Sequence, residues 1–145
     1  MIREIKISDY QEMSKLFLQY GHPLPEEEIK ENIIKVKNEG RDKVFVETDS
    51  DNKVIGFIHI APHVLLYFKP LANIPGIVVD KKHRRKGIGR RLFEKAKEWA
   101  LENNLDGIRV ISGNEREAAH AFYKSIGFKF IKSQGNFRMM FDQES

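Results

Sequence analysis

The stretch that most restricts the fold begins with a short apolar run, Ile77-Val78-Val79, and passes through a basic, glycine-bearing turn at residues 81–91. Apolar residues then recur at helical spacing through Leu92, Phe93, Ala96, Trp99 and Ala100. The period changes from that of a buried strand to that of an amphipathic helix across one turn. A strand that feeds a helix start through glycines gathers unpaired backbone N–H groups and the positive end of the helix dipole in one concavity, which suits an anion. A merely charged surface has no need of Gly87 and Gly89, whereas both let the backbone approach a ligand closely. Two familiar phosphate motifs are absent. The glycine-lysine-hydroxyl step of a Walker loop is missing, and Leu92 stands where a dinucleotide fingerprint needs its third glycine. A solvated basic loop or a nucleic-acid patch is the plainer alternative.

Charge supports a compact site. The formal net charge is +4, yet residues 81–91 hold seven lysines and arginines and no acid, so the remainder of the chain is net negative. A broad nucleic-acid-binding face would spread its basic residues over one side of the domain. With no cysteine in 145 residues, disulfide scaffolds, thiol catalysis and thiolate metal sites are excluded. No His, Asp and Glu cluster has metal-ligand spacing, so no metal is expected. The length suits one domain over residues 1–145. Charge at Met1-Ile2-Arg3-Glu4 occupies the place of a signal peptide's apolar region, and no apolar run approaches the ~18 residues of a membrane span. A cytoplasmic protein with no membrane partner is the expectation.

Along the chain, Ile5 and Ile7 alternate with polar residues over 3–7 as a half-buried edge strand. Ser8 and Gln11 have capping-box spacing at the start of a helix whose inner face is Met13, Leu16, Phe17 and Tyr20, and Gly21 ends it. Pro23 and Pro25 make a loop. A second helix opens with Glu26, Glu27 and Glu28, buries Ile29, Ile33 and Val36, and stops at Gly40. Strands over 44–48 and 53–61 flank an Asp49-Ser50-Asp51-Asn52 turn. Residues 63–72 read as irregular, and 73–80 as a strand with a bulge or break at Pro75-Gly76. After the helix over 89–103, a strand is expected over 107–112. A short helix capped by Asn114 follows, with Ala118, Ala121, Phe122 and Ser125 inward and Gly127 beyond its end. A closing hairpin is expected from 128–132 and 136–141. The order β-α-α-β-β-β-α-β-α-β-β implies an α/β (mixed α+β) fold with a central mixed sheet of about seven strands and helices on both faces.

Two blocks of residues carry a family resemblance. Arg84, Gly87 and Gly89, preceded by Val79 and Asp80, form one. Asn114, Ala119-His120-Ala121-Phe122-Tyr123 and Gly127-Phe128 form the other. In order and spacing they resemble the GNAT superfamily of coenzyme-A-dependent N-acetyltransferases over most of the chain. Tyr20-Gly21-His22-Pro23 and the opening helices are further similar to bacterial aminoglycoside-like acetyltransferases. The resemblance implies acetyl-coenzyme A as co-substrate, with its pyrophosphate on the backbone of Arg85, Lys86, Gly87, Ile88, Gly89 and Arg90. Side chains of Arg84, Arg85, Lys86 or Arg90 would meet the phosphates. The pantetheine arm would pair with backbone at Ile77, Val78 and Val79 where that strand splays from the next one. Asn114, Phe122 and Tyr123 would also face the cofactor, although Asn114 reads equally as a plain helix cap.

Tyr123 is the catalytic residue that the resemblance implies, a phenol that protonates the departing thiolate. Without the resemblance, a tyrosine at this spacing is a core residue. A backbone N–H near Val78 or Val79 would stabilise the developing oxyanion. Residues 73–79 hold no carboxylate, unlike family members that place a glutamate there. His22, His59, His63, Glu47 or a water chain remain as routes for amine deprotonation, with His59 also readable as a structural histidine. The implied reaction is acetyl transfer to a primary amine of a small molecule or peptide by direct attack in a ternary complex. Acceptor choice would fall to residues 20–28 and 62–72. A non-catalytic acyl-coenzyme-A sensor is the competing class, and a homodimer is left open.

Overall fold

A computed structural model describes residues 1–113 and 115–142 of the chain. They fall into two compact units, Met1–Ile111 and Ser112–Ser145. The first unit holds one five-stranded sheet in sequential order, β1 (Ile2–Glu4), β2 (Lys43–Thr48), β3 (Val54–His63), β4 (Leu71–Val79) and β5 (Ile108–Val110). Neighbours run antiparallel except β4 and β5, which are parallel and are joined through α3 (Ile88–Glu102). Helices α1 (Tyr10–Tyr20) and α2 (Glu26–Glu39) come between β1 and β2.

Side-chain alternation along β3 sets the layers. The Phe57 ring meets Phe17 of α1 edge to face at 5.4 Å, whereas a Cβ on Gly56 would point at Ile88 and Leu92 of α3. Successive strand residues face opposite sides, so α1 and α3 cover opposite faces. Leu16 and Ile29 are fully buried on the α1–α2 side, and Leu92 is fully buried on α3. Each such side chain stabilises the fold by roughly 1.5–3 kcal/mol on leaving water.

Helix ends follow the expected chemistry. Gly21 and Gly40 cap α1 and α2 in the left-handed region, at φ +89° and +68°, and Pro25 stands at the N-cap of α2. The start of α1 differs from expectation. The first strand ends at Glu4, Ile7–Asp9 form a 3-10 turn, and α1 begins at Tyr10. Instead of Ser8 and Gln11, the carboxylate of Asp9 organises this entry. It accepts the Lys6 N–H at 2.7 Å and both arms of the Arg3 guanidinium at 2.9 Å. A buried bidentate ion pair outcompetes a hydroxyl for this place because its hydrogen bonds are charge-assisted.

Pairing of β3 with β4 slips where the sequence places a break. His59 opposes Gly76 and Ala61 opposes Asn73, so β4 bulges at Ile74-Pro75, where proline has no N–H to give the ladder. Between the strands, Val64, Leu66, Tyr67 and Phe68 are exposed.

The second unit contains α4 (Glu117–Ser125). Gly127, at φ +110°, donates its N–H to the Lys124 carbonyl at 3.2 Å, as the sequence implies. The helix N-cap is Arg116, and Asn114 lies outside the described residues. Ala119, Phe122, Tyr123 and Ile126 are half-buried while Ala118, Ala121 and Ser125 are exposed. The stripe therefore runs at i, i+3, i+4, i+7 through the larger apolar groups rather than the small ones. The expected closing hairpin does not form. Among the described residues no strand follows α4, so the sheet has five strands instead of seven. Phe130, Ile131, Phe137, Met139 and Phe141 stay exposed. Phe137, Met139 and Phe141 recur at two-residue spacing, but a strand is decided by what pairs with it and covers it, and all three stay exposed.

Candidate active site

The turn after β4 is held at three points. Asp80 caps a 3-10 turn at Lys81–His83 by accepting the Lys82 N–H at 2.8 Å. Gln19, at the end of α1, donates to Asp80 at 3.2 Å and accepts the Lys81 N–H at 3.0 Å. Burial would push the Asp80 carboxyl up, but the hydrogen bonds from Lys82, Gln19 and His83 hold it below the usual carboxylate range. The backbone is left-handed at Arg85 and Gly87, φ +65° and +80°. Helix α3 then starts with no side-chain cap, and its first ladder bond is Arg91 N–H to the Gly87 carbonyl at 3.0 Å. The amides of residues 85–90 thus meet no protein acceptor among the described residues, and the last three of them carry the positive end of the helix dipole.

The side chains above these amides divide into two groups. Arg84, Arg85, Lys86 and Arg90 are exposed, and among the described residues none has a carboxylate partner. Arg91 is committed. Its Nε and Nη2 donate to Glu47 at 3.0 and 2.9 Å, and its Nη1 donates to the Lys86 carbonyl at 3.2 Å. Glu47 is only 3% exposed and also accepts the N-terminal ammonium at 2.6 Å. Burial raises its pKa, but the two cations more than offset this and hold the carboxyl below its ordinary range. Glu47 is therefore an anchor for the turn and not a proton acceptor. Ile88, 3% exposed, packs its side chain toward Gly56, which leaves only its amide for a ligand.

Beside the turn, β4 and β5 part. Their pairing covers Ala72 with Ile108, Asn73 with Arg109 and Ile74 with Val110. Residues 75–79 continue without a β5 partner, about 17 Å of strand edge at ~3.3 Å per residue. Val78 sends its side chain into the α1–α2 core at 4% exposure, and Ile77 and Val79 are half-buried. What the strand can offer a ligand is backbone, at Ile77 and Val79. Asp80 donates its N–H to Ile55 of β3 at 2.8 Å, so alternation turns the Val78 groups to β3 as well and the Ile77 and Val79 groups to the open edge, where the Val79 carbonyl accepts Arg84 Nε at 3.4 Å. Unpaired amides, left-handed glycine and uncommitted guanidinium groups suit an anion with several oxygens, and the open strand edge suits a chain carrying amides.

The other candidates are placed as follows. His22 is exposed with its ring 5.0 Å from that of Tyr20. Glu26, Glu27 and Glu28 form an exposed first turn of α2. His59 Nε2 lies 2.9 Å from Asp42 Oδ2, and His63 ends β3. Tyr123 and Phe122 belong to the second unit. The Tyr123 ring lies 5.8 Å from both Phe122 and Phe128, and its carbonyl accepts the Phe128 N–H at 3.0 Å. Among the described residues no group of three His, Asp or Glu could hold a metal ion, and no helix is long and apolar enough to cross a membrane. The sequence reading missed Gln19, the Arg91–Glu47 pair and the Asp42–His59 pair, because each joins segments far apart in the chain.

Residues 4–128 match the family model described as acetyltransferase (GNAT) family. An uncharacterised N-acetyltransferase of Chlorobaculum tepidum is 31% identical over 134 residues, 92% of this chain and 77% of that protein. Streptothricin acetyltransferase of Escherichia coli is 43% identical over 58 residues, 40% of this chain and 33% of that enzyme, so the chain spans about a third of its length. Among solved structures, AAC(6')-Iy in complex with the bisubstrate analogue CoA-S-monomethyl-acetylneamine superposes with a TM-score of 0.83 at 16% identity, covering 97% of each chain. That likeness speaks for the fold, and the match over residues 4–128 for descent. The chain belongs to the acetyltransferase (GNAT) family.

Proposed function

We propose that this chain is a single-domain enzyme that moves an acetyl group from acetyl-coenzyme A to a primary amine of a small molecule or peptide, by direct attack with both substrates bound. The observation that carries the reading is the turn at residues 84–90, whose free amides and uncommitted cations stand at the head of an open strand edge. The coenzyme A moiety of the analogue bound to AAC(6')-Iy supports it. The donor set fits a pyrophosphate, with Arg85, Lys86, Gly87, Ile88, Gly89 and Arg90 contributing N–H groups and Arg84, Arg85, Lys86 and Arg90 contributing charge. Backbone of the Ile77-Val78-Val79 run takes the amide-bearing arm, through the outward groups of Ile77 and Val79. Asn114 and Phe122 complete the cofactor-facing set in this reading.

Acetyl-coenzyme A supplies an acetyl thioester, so a C–N bond forms as the C–S bond breaks. Of the two candidate donors, Val78 and Val79, the Val79 N–H is on the open edge and faces the carbonyl oxygen as it gains charge. Tyr123 gives the sulfur its proton and recovers one as the amine nitrogen becomes an amide. Residues 20–28 and 62–72 select the acceptor. Coenzyme A release measured over a panel of primary amines tests the reading. Turnover with at least one amine is expected, and stabilisation by acetyl-coenzyme A with no turnover on any of them would contradict it.

A further inference from the structure

An ammonium group cannot attack a thioester, so an acceptor amine charged at neutral pH must first lose a proton. Residues 73–79 bring no carboxylate to the strand beside the parting, and Glu47 is locked in a buried ion pair. Of the routes left open by the sequence, His22, His59, His63 and a water chain remain.

Phe57 fixes which face matters, since its ring packs on Phe17 of α1. His59, two residues on, shares that face. Its partner across the ladder is Gly76, where a Cβ would lie 3.5 Å from the Phe57 ring. Gly76 brings no side chain of its own beside His59, and the Phe57 ring covers that position from the neighbouring pair. Gly76 follows the Ile74-Pro75 bulge, and Ile74 with Val110 is the last pair before β5 leaves β4. His59 thus lies one strand from the vertex of the parting.

Asp42, just before β2, sets the tautomer of the uncharged ring. Its Oδ2 is 2.9 Å from His59 Nε2, and a carboxylate only accepts. The uncharged imidazole then carries its hydrogen on Nε2 and a lone pair on Nδ1. Among the described residues Nδ1 has no protein hydrogen-bond partner and is not among the buried unpartnered atoms, and the side chain keeps 24% exposure, so this nitrogen can be reached. A histidine held by a carboxylate on one nitrogen and free on the other is the arrangement of a general base.

We propose that His59, oriented by Asp42 as a positioning residue, takes the proton that converts the acceptor's ammonium into the attacking amine. The inference rests on the acetyl-transfer reading above. The N–H bond breaks toward Nδ1, its electron pair stays on nitrogen as the nucleophile, and the proton leaves the imidazolium for water. The second proton lost by nitrogen is the one that balances the departing sulfur.

The test compares wild type with His59→Gln on two probes, benzylamine, an ammonium at neutral pH, and methoxyamine, which is already uncharged. Loss of the base should lower kcat/KM for benzylamine by about 100-fold or more while methoxyamine changes by less than ~3-fold, with stabilisation by acetyl-coenzyme A retained. Equal loss on both probes, or no loss, overturns the proposal and leaves acetyl transfer standing. A chain that acetylates no amine overturns the transfer reading and this one with it. Nitrogen-15 NMR of the wild-type imidazole needs no variant. A proton on Nε2 with Nδ1 bare supports the assignment, and its redistribution in Asp42→Asn supports the positioning role. A proton on Nδ1 in the wild type overturns both.

Discussion

Replacing Glu47 by glutamine should weaken the fold through a single buried anchor, and the size of the effect follows from an asymmetry in exposure. The carboxylate is 3% exposed, whereas its partners, the N-terminal residue and Arg91, are 71% and 54% exposed. The cations regain water when the charge is removed, so the lost charge-assisted bonds count at the low end of their range, about 1.5 kcal/mol. The new amide N–H₂ faces two cations in a buried position and adds roughly 1–3 kcal/mol for an unmet donor. About 3 kcal/mol in total corresponds to a fall of roughly 6–12 °C in Tm for a domain of this size. The pH dependence is the sharper part. The folded carboxyl titrates below its ordinary value, so its contribution is complete above about pH 4.3 and is lost as the pH falls through the lower folded value. Urea denaturation of both proteins at pH 7, 5 and 2 would read this out. The difference should be the same at pH 7 and 5 and shrink as acid takes the wild-type carboxyl through its lowered folded value. A difference below about 1 kcal/mol at pH 7, or one that grows as the pH falls below about 4.3, would refute the reasoning.

Gly87→Ala isolates backbone strain in the turn. The new Cβ would sit 3.5 Å from Arg91 Nη1, an ordinary contact, so the expected loss of about 1–2 kcal/mol comes from φ +80° alone, and an unchanged urea midpoint would argue against a left-handed turn. Tyr123→Phe should lower kcat by about 100-fold or more with stabilisation by acetyl-coenzyme A unaltered; steady-state rates on any accepted amine check it, and an unchanged kcat removes the phenol from the chemistry.

Local punctuation was readable in the sequence because it acts locally. Gly21, Gly40 and Pro25 end or start helices through their own φ preferences, and the slip at Ile74-Pro75 follows from a missing N–H. The residues of the anion turn were equally legible, since the turn, its glycines and its helix are contiguous. What stayed hidden depends on partners far along the chain. Arg91 looks like its basic neighbours until Glu47, 44 residues away, claims it. His59 is ambiguous until Asp42, 17 residues away, fixes its tautomer. Ser8 had the spacing of a cap, but Asp9 had Arg3. The closing hairpin failed for the converse reason. Apolar residues on either side of Ser133-Gln134-Gly135 describe two possible strands, yet strands are decided by what covers them.

The central claim is that the turn at residues 84–90 holds the cofactor's phosphates, and Gly89→Asp tests it most directly because stability and binding should move apart. Gly89 lies in the first turn of α3, where a carboxylate favours the helix dipole, so the ligand-free Tm should hold or rise. The same charge set about 4 Å from a phosphate costs up to about 4 kcal/mol near a protein surface. Calorimetric titration with acetyl-coenzyme A should therefore show a Kd weakened by about 100-fold or more in a variant at least as stable as the wild type. A stable Gly89→Asp protein that binds acetyl-coenzyme A with wild-type affinity would contradict the account.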